Sequence, residues 1–464
     1  MTNKQTETAS RIFPISEIIE TNPLFTRREM LGIAGMAGMA GIADMSGLTT
    51  LTSISSNVAQ TQTRPRVACL VSYWGSPRSH ADWIINKLID GYWWDGAYTP
   101  SRIDIASIYL HQHDISELAQ RVAQAKGIPV FRTVAEALTL GGNELAVDGV
   151  VIVGEHGDYP TDLKGHWLLP RWWLYNQMIR VFERNNRSVP VFNDKHLSYS
   201  WDETKWMFDK SRELNFPLTG GSSIPIYYRR PEIELNIETP IKNSIVVGGA
   251  SDEGAIFHCL DVLQSFVEMR KGGETGVKAV QSIRGPETWR WVERNPWAGN
   301  LLDSVEKRFE LTPRALRENA TANVCIIEYN DGTNAAVISG RGVGWTYAGE
   351  IEGQNEPTIV SMLGWPGPFD QYHASNAQPH WITEMMVTKK EPFNAERLLL
   401  SSGITNYYMQ SNWENGRFSP VGRRLETPFM NVSYRPTRGG QFSKGERPPS
   451  LPYIRGFAGE LTGL

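Results

Sequence analysis

The sequence predicts an α/β protein: a Rossmann-like parallel-sheet domain, followed by an α+β domain with a large, mainly antiparallel sheet. From residue 66 onward, short apolar runs alternate with amphipathic stretches, which is typical of a parallel sheet with helices on both faces. After residue 222, longer alternating strands and turn sequences appear, as in antiparallel sheets. A length of 464 residues also exceeds one ordinary domain, so two domains are expected.

In the first domain, strand and helix patterns alternate in a regular order. The apolar strand patterns cover residues 67–71, 105–110, 130–131, 149–153 and 189–191. The helical patterns between them cover residues 81–89, 115–125, 135–138 and 172–184. A further helix is predicted to begin at a capping box formed by Ser200 and Glu203 and to end near Glu213, before Asn215-Phe216-Pro217.

In the second domain, three alternating strands are predicted at residues 244–248, 323–329 and 335–339. The turn-forming sequence Asn330-Asp331-Gly332-Thr333 joins the last two strands as a hairpin. A helix over residues 254–269 is predicted to be capped by Ser251 and closed by Gly272-Gly273.

These patterns divide the chain into four parts. We expect an export signal and linker at 1–62, the Rossmann-like domain at 65–221, and a substrate and oligomerisation domain at 222–434. Residues 435–464 form a C-terminal tail rich in proline and glycine toward its start. The tail is predicted to lie on the surface or to be partly disordered.

The N-terminal part carries Arg27 and Arg28, followed by a short, weakly apolar run rich in glycine and alanine at residues 30–43. Paired arginines followed by such a run resemble a twin-arginine export signal. The run is too short and too rich in glycine for a stable membrane span. We therefore expect a periplasmic or otherwise exported protein, the alternative being a chance arginine pair in a disordered tail.

Charge and cysteine content exclude several classes of partner. The formal net charge is -4, so bulk charge attracts neither nucleic acid nor an anionic membrane surface. Of the three cysteines, Cys69 and Cys325 lie inside apolar strand patterns and have no Cys-x-x-Cys neighbour. Buried small hydrophobic side chains are therefore expected, and not a disulfide or a zinc site.

Five segments follow one another in a recognisable order between residue 66 and about residue 434. They are the strand at 148–152, Asp194-Lys195-His196, the helix at 201–208, His258-Cys259-Leu260-Asp261, and the stretch at 396–403. Their order and spacing resemble the Gfo/Idh/MocA family, which includes glucose–fructose oxidoreductase and inositol dehydrogenase. The resemblance implies an oxidoreductase that acts with NAD(P) on a sugar, cyclitol or related polyol. It also implies that a homo-oligomer is compatible with the fold, because sheet faces in the family often pair subunits.

The turn after the first strand departs from this family. The resemblance places the cofactor-binding positions at Ser72, Trp74, Arg78 and His80, with Ser72, Trp74 and Pro77 where the family has glycines. A glycine lets the pyrophosphate approach the backbone, so an indole at residue 74 is expected to occupy the room of the diphosphate. Pro77 also removes a backbone donor. The usual grip on NAD(P) is therefore expected to be lost or remade.

Three residues are candidates for catalysis. The resemblance places Lys195 beside the substrate, where a lysine can donate a proton or stabilise a developing oxyanion. It places His258 at the catalytic histidine, as general acid or base, with Asp261 orienting it. Two alternatives remain open: Lys195 pairs with Asp194 on the surface, or His258 and Asp261 belong to an ordinary solvated helix face.

A divalent metal is a further prediction. Glu155 and His156 follow one strand end, and Asp194 and His196 follow another. Strand ends of an open α/β sheet hold ligands, and carboxylates with imidazoles can bind a divalent metal. The alternative is a polar cleft that holds water.

Several tryptophans are candidates for contact with a carbohydrate substrate. Trp74 and the pairs Trp93-Trp94 and Trp172-Trp173 can offer flat apolar faces to a sugar ring, unless they are core residues.

Three functions remain open from the sequence. The first is an exported oxidoreductase on a sugar, cyclitol or related polyol. The second is a non-redox, metal-assisted or lysine-assisted lyase, hydratase or epimerase on a keto sugar. The third is a carbohydrate-binding protein without catalysis, which is favoured only if Lys195 and His258 do not share a cleft. All three predict a small carbohydrate-like partner, with no nucleic acid and no stable membrane insertion.

Overall fold

The computed structural model describes residues 63–75, 79–249, 252–362, 375–419, 421–437 and 439–445. All of these residues lie in one compact unit. The predicted export signal, Pro77, Arg78 and Ser251 lie outside the described residues. Among the described residues, no helix has both the length and the apolar character needed to cross a membrane.

Strands are named β1 to β16 in chain order. The first eight are Arg66–Val71, Tyr92–Trp94, Ala97–Thr99, Asp104–Leu110, Val130–Phe131, Gly149–Val153, Val191–Asp194 and Leu218–Gly221. The other eight are Arg229–Arg230, Ile241–Gly248, Val277–Arg284, Asn323–Tyr329, Asn334–Ser339, Trp345–Ile351, Thr358–Met362 and Leu425–Glu426.

Helices are named α1 to α10 in the same way. The first five are His80–Asp90, Glu117–Lys126, Val134–Thr139, Arg171–Asn185 and Trp201–Glu213. The other five are Glu253–Val267, Pro286–Arg294, Pro296–Arg308, Ala377–Thr388 and Ala395–Glu414. Short 3₁₀ helices lie at His113–Ile115, Ile224–Ile226, Ala315–Glu318 and Pro428–Met430.

The first sheet is parallel throughout, in the order β5-β4-β1-β6-β7-β8. The hairpin of β2 and β3 is separate from it. Counting only the strands of the sheet, the spatial order is 3-2-1-4-5-6, the order of the doubly wound dinucleotide-binding fold. The strand order reverses beside β1, which has β4 on one side and β6 on the other. The Rossmann-like half of the predicted fold class is confirmed.

Both faces of the parallel sheet are buried. In β1, Val67 and Cys69 pack with α1, α2 and α9, whereas Ala68 and Leu70 pack with α3, α4 and α5. Because successive strand side chains alternate between faces, a strand covered on both sides has a continuous apolar run. That burial explains the apolar patterns from which these strands were predicted.

The second sheet has the order β16-β11-β12-β13-β10-β14-β15-β9, and its pairs are antiparallel except β10 with β13. Helices α6 and α10 pack on one face and α7 and α8 on the other. In β10, Val246 faces the first pair of helices, while Ile245 and Val247 face the second pair. The predicted large, mainly antiparallel sheet is confirmed. Helices of the same chain cover both of its faces.

Two predicted helix caps are corrected. At α5 the Ser200 side chain makes no cap bond, and the Ser198 hydroxyl donates to the Glu203 carboxylate instead. At α6 the N-cap is Asp252, whose Oδ1 accepts from the Ala255 N–H at 2.9 Å. Ser200 is therefore the N-cap residue of α5 as predicted, but without the predicted capping-box bond, whereas at α6 the cap lies one residue later than predicted.

Other predicted features appear as expected. β12 and β13 form the predicted hairpin, with the Gly332 N–H donating to the Tyr329 carbonyl at 3.2 Å. Cys69, Cys259 and Cys325 are unpaired and buried. In the described part of the tail, Phe442 packs on the Arg229 guanidinium. The domain boundaries at 221 and 434 stay predictions.

Candidate active site

The residues predicted for catalysis and for metal binding meet at the carboxyl ends of β6 and β7, opposite the first turns of α1 and α6. Glu155 follows β6, Asp194 ends β7, and Lys195 continues from it. Ligands of open α/β sheets lie at this edge. Lys195 has a φ of 64°, a left-handed conformation that is uncommon for residues with a side chain and is often found at functional sites.

Lys195 and His258 are in direct contact. The Lys195 Nζ lies 2.9 Å from the His258 Nε2. Because the ammonium can only donate, Nε2 accepts and the ring proton lies on Nδ1. That nitrogen then donates to the Ser222 Oγ at 2.6 Å. Desolvation and the neighbouring Lys195 cation hold the pKa of His258 well below its usual value, so the ring is neutral.

Asp261 supports His258 through Ser222. Its carboxylate accepts from the Ser222 N–H at 2.8 Å and from the Ser401 Oγ at 3.1 Å. The sequence predicted that Asp261 itself orients the ring, whereas the described partner of Nδ1 is Ser222. Burial raises the pKa of Asp261 to about 6. Gly221, with a φ of 99°, makes room for this carboxylate, because a Cβ there would lie 2.7 Å from Oδ2.

The polar side of α6 is not a solvated face. Asp261, Ser265 and Glu268 are all buried, and the Arg397 Nε donates to the Glu268 carboxylate at 2.9 Å. Arg397 comes from α10, so the second helix on this face supplies the partner for the buried charge. This excludes the solvated-face alternative for the helix.

A second pair of polar side chains, His80 and Asp194, lies at the start of α1. The His80 Nδ1 lies 2.6 Å from the Asp194 Oδ2, and since a carboxylate accepts, Nδ1 carries the proton. The His80 ring stacks on Trp83 at 5.3 Å and lies 5.1 Å from the His156 ring, between ring centroids. Sequence reasoning placed His80 with the cofactor and Asp194 with a metal, and did not anticipate that the two would pair.

Three of the four predicted metal ligands, Glu155, Asp194 and His196, contact other protein groups, whereas the buried His156 Nδ1 has no hydrogen-bond partner among the described residues. Arg171 donates to the Glu155 carboxylate and, at 2.9 Å, to the His196 Nε2, while His80 donates to Asp194. Burial would raise the pKa of Glu155, but the Arg171 and Lys195 cations outweigh it and hold that pKa below its usual range.

At Glu155, Asp194 and the His196 Nε2, a metal would compete with these donors for lone pairs. The described residues contain no group of three or more His, Cys, Asp or Glu side chains arranged to hold a metal. Glu155, Asp194 and His196 therefore belong to a buried network of ion pairs and hydrogen bonds, and the metal site stays a prediction.

Glu253 extends this network from the first residue of α6. Its carboxylate accepts from the His166 Nδ1 at 2.6 Å and from the Trp167 N–H at 3.0 Å, and lies 3.1 Å from the His196 Nε2. Arg171, Glu253 and His166 were absent from the predicted site. These three residues are ionisable, which is the one sequence property that marks them as candidates. They lie far apart in the sequence and meet only in the folded chain.

The tryptophans at the site are not the predicted ones. Trp83 and Trp167 are partly exposed beside His80 and His156, and Trp345 is partly exposed with its ring 6.3 Å from that of His258. Of the predicted platforms, Trp74 is fully buried and Trp172 packs on Trp206. The apolar faces that a sugar ring could contact are therefore supplied by tryptophans from α1, the loop before α4, and β14.

Trp74 belongs to the core, not to a phosphate site. Its indole packs among buried side chains of β1, α1 and α2, and its Nε1 donates to the Asp82 Oδ1 at 3.0 Å. The other Asp82 oxygen lies 3.4 Å from the Ser79 N. A carboxylate of the chain therefore already occupies the N-terminal end of α1, where a dinucleotide fold would place the pyrophosphate.

The crevice beside β1 is bridged by side chains from its two sides. The Gln112 amide, after β4, donates to the Asp158 carbonyl at 2.7 Å and accepts from its N–H at 2.8 Å. His111 pairs with the Tyr159 hydroxyl at 2.8 Å, and the Ser72 Oγ donates to the Glu155 carbonyl at 2.8 Å. The loop after β6 is thus tied to the ends of β1 and β4, across the position where the strand order reverses.

No protein-family model matches the chain, and no curated protein matches it. Among solved structures, a scyllo-inositol dehydrogenase from Lactobacillus casei with bound NAD(H) and scyllo-inositol is 10% identical, with a TM-score of 0.49, over 78% of this chain and 99% of that one. GenD2 from gentamicin A biosynthesis, in complex with NAD, is 12% identical with a TM-score of 0.48, over 83% and 99%. A myo-inositol dehydrogenase from Corynebacterium glutamicum is 12% identical with a TM-score of 0.45, over 78% and 99%. At these identities and TM-scores, the activities remain properties of those proteins.

Proposed function

We propose that this protein is an acid–base enzyme acting on a sugar, cyclitol or related polyol, in which Lys195 and His258 move a proton at a substrate oxygen. The observation that carries the proposal is the 2.9 Å contact between the Lys195 Nζ and the His258 Nε2, beside partly exposed indole rings at the ligand-binding edge of the sheet. The direct contact between the two residues supports this proposal over a non-catalytic carbohydrate-binding protein, which was favoured only if they lay apart.

The division of labour follows from the hydrogen bonds. The Lys195 ammonium can donate a proton to a substrate oxygen, or stabilise negative charge that develops on it. The neutral His258 accepts a hydrogen bond from the Lys195 ammonium and so orients the lysine that donates the proton. Ser222 holds His258 in the tautomer that presents Nε2 to the lysine. The pair therefore serves a reaction in which a carbonyl becomes an enolate, or an alcohol loses its proton.

Two reaction types use such a pair, and the described contacts favour the one without hydride transfer. The residues do not fit the usual grip on a nicotinamide nucleotide, because Asp82 occupies the start of α1 and Gln112 bridges to Asp158. Arg171 likewise occupies the lone pairs that a metal would need. We therefore favour enolisation of a keto sugar or keto polyol, leading to isomerisation, epimerisation or elimination.

The second candidate is an NAD(P)-linked oxidoreductase on the same class of substrate. The strand order of the parallel sheet favours it, since this order is that of dinucleotide-binding folds. An analogy of fold alone does not establish chemistry.

Hydrogen exchange separates the two candidates. The folded protein is incubated in D₂O with keto-inositol or D-fructose, with no nucleotide added, and mass spectrometry follows deuterium at the carbons beside the carbonyl. We expect exchange with the wild-type protein and its loss in His258→Gln. No exchange, together with reduction of NAD⁺ or NADP⁺ by myo-inositol or D-glucose, would favour the oxidoreductase. Neither activity would contradict both candidates.

We also propose that the protein is exported by the twin-arginine route, on the basis of Arg27, Arg28 and the apolar run that follows. Replacing both arginines by lysine should retain the full-length protein in the cytoplasm of an expressing bacterium. Fractionation followed by immunoblotting measures this, and undiminished export of the Lys-Lys variant would contradict the proposal.

A further inference from the structure

We propose that His80 is the base that removes a proton from a substrate carbon, with Asp194 as its positioning residue and Lys195 holding the oxygen of the adjacent carbonyl. This inference rests on the proposed function. It adds a second acid–base pair to the same cleft and assigns the two pairs different atoms of the substrate.

The His80–Asp194 pair has the geometry of an oriented base. The Asp194 Oδ2 accepts from the His80 Nδ1 at 2.6 Å, which leaves the lone pair of Nε2 available. The Asp194 side chain is 2% exposed and that of His80 is 15% exposed, so the carboxylate is held inside while the ring reaches the cleft. A buried carboxylate that fixes the tautomer of a partly exposed imidazole is the arrangement found in enzymes with a histidine base.

The two pairs border one cleft because Asp194 and Lys195 are consecutive residues at the end of β7. The positive φ of Lys195 interrupts the regular strand alternation at this position. The segment Glu155-His156 lies against both pairs. The Glu155 Oε2 is 3.8 Å from the Lys195 Nζ, and the His156 ring is 5.1 Å from the His80 ring.

The reaction that this arrangement performs needs no external oxidant. The His80 Nε2 takes the proton from the carbon next to the carbonyl. The electron pair of the broken C–H bond forms the carbon–carbon double bond, and the carbonyl π pair moves to the oxygen. The Lys195 Nζ–H stabilises the resulting enolate oxygen. In an α-hydroxy ketone, Lys195 then donates a proton to the enolate oxygen, and its neutral amine takes the proton of the hydroxyl on the first carbon. Return of the carbon proton from His80 to the former carbonyl carbon completes the isomerisation, whereas protonation of the first carbon by water from the opposite face gives the epimer.

The test compares His80→Gln with His156→Gln, the neighbouring histidine outside the Asp194 pair, and with the control His113→Gln, a partly exposed histidine that pairs with Asp114 away from the site. In D₂O with keto-inositol as the probe, we expect His80→Gln to lower the kcat of deuterium incorporation by about 100-fold or more, with KM little changed. His113→Gln should retain kcat within about 10-fold of the wild-type protein, and His156→Gln should lower kcat less than His80→Gln does. A melting curve for each variant checks that it is folded.

A spectroscopic readout tests the role of Asp194 independently of activity. In the ¹⁵N NMR spectrum of the His80 ring, we expect Nδ1 protonated and Nε2 unprotonated, and loss of that fixed tautomer in Asp194→Asn. Wild-type exchange that persists in His80→Gln, or is lost only in His156→Gln, overturns this inference and leaves the proposed function standing. Absence of exchange in the wild-type protein overturns both.

Discussion

The same edge of the parallel sheet has two halves that differ in their side chains: a closed half at the ends of β1 and β4, and a charged half at the ends of β6 and β7. At the ends of β1 and β4, Trp74 is fully buried and the Gln112 amide closes against Asp158. At the ends of β6 and β7, partly exposed histidines surround buried carboxylates and Lys195. The first half is closed by hydrogen bonds within the chain, including one to the buried Asp82 carboxylate, whereas the second brings several buried charges next to partly exposed histidines. Burying a charged group costs free energy, and clusters of buried ionisable groups are typical of functional sites. Chemistry is therefore expected in the second half.

The largest expected effect is on catalysis in the charged half. Lys195→Met removes the only group proposed to hold the substrate oxygen, so we expect about a 1000-fold loss of deuterium incorporation into keto-inositol. Lys205→Met is the matched control, because Lys205 makes an exposed pair with Asp209 at 2.6 Å and should retain activity. Full activity in Lys195→Met would move the chemistry away from this pair.

The next effect is on stability in the closed half. Trp74→Ala removes a fully buried indole and its hydrogen bond to Asp82, so we expect the free energy of unfolding to fall by about 4 kcal/mol. Trp173→Ala, at a tryptophan that is 38% exposed, should cost less than about 1 kcal/mol. Urea denaturation measures both. Wild-type stability in Trp74→Ala would show that the indole occupies a dispensable, ligand-sized space.

This comparison also separates what the sequence could and could not predict. Strands such as β1 and β6 were predictable because burial on both faces leaves continuous apolar runs. The meeting of Lys195 and His258 was predictable from the family resemblance, since both follow motif-like positions. In contrast, α7 and α8 carried no pattern that was recognised, although they cover a whole face of the second sheet.

Side-chain partners could not be predicted because they depend on tertiary placement. Ser222 was missed although it directly follows β8, and only its 2.6 Å contact with His258 gives it a role. Arg171 is 16 residues from Glu155 along the chain. The sequence does not indicate that the Arg171 guanidinium would bind the carboxylate that was predicted to bind a metal. Trp74 was expected to fill the space of the cofactor's diphosphate. Its indole instead packs in the core, where its N–H donates to the buried Asp82 carboxylate.

A smaller effect concerns the buried carboxylate behind His258. Burial raises the pKa of Asp261 from 3.8 to about 6, so the unfolded chain ionises this group first as the pH rises. Its contribution to stability is present below about pH 4 and is lost as the pH rises through about 6. We therefore expect Asp261→Asn to gain about 2 to 3 kcal/mol relative to the wild-type protein between pH 4 and pH 7.

Urea denaturation at the two pH values measures this difference. Asp209→Asn, at an exposed carboxylate of α5, is the control and should show little relative change. If the two proteins differ in the free energy of unfolding by the same amount at both pH values, Asp261 stays ionised beside Arg397. The Arg397 cation would then offset the burial of this carboxylate.

The smallest expected effect tests whether the closed half is held shut by one side chain. Gln112→Ala removes both hydrogen bonds to Asp158, so we expect a loss of about 1 kcal/mol and faster amide exchange in residues 154–159. Gln120→Ala, which removes a single exposed bond to the His113 carbonyl at 2.9 Å, is the control. Because Trp74 and Asp82 remain in place, Gln112→Ala should still not bind NAD⁺ in a calorimetric titration. If it does bind, the amide bridge alone excludes the nucleotide, and the closed half is a gated cofactor site and not a filled one.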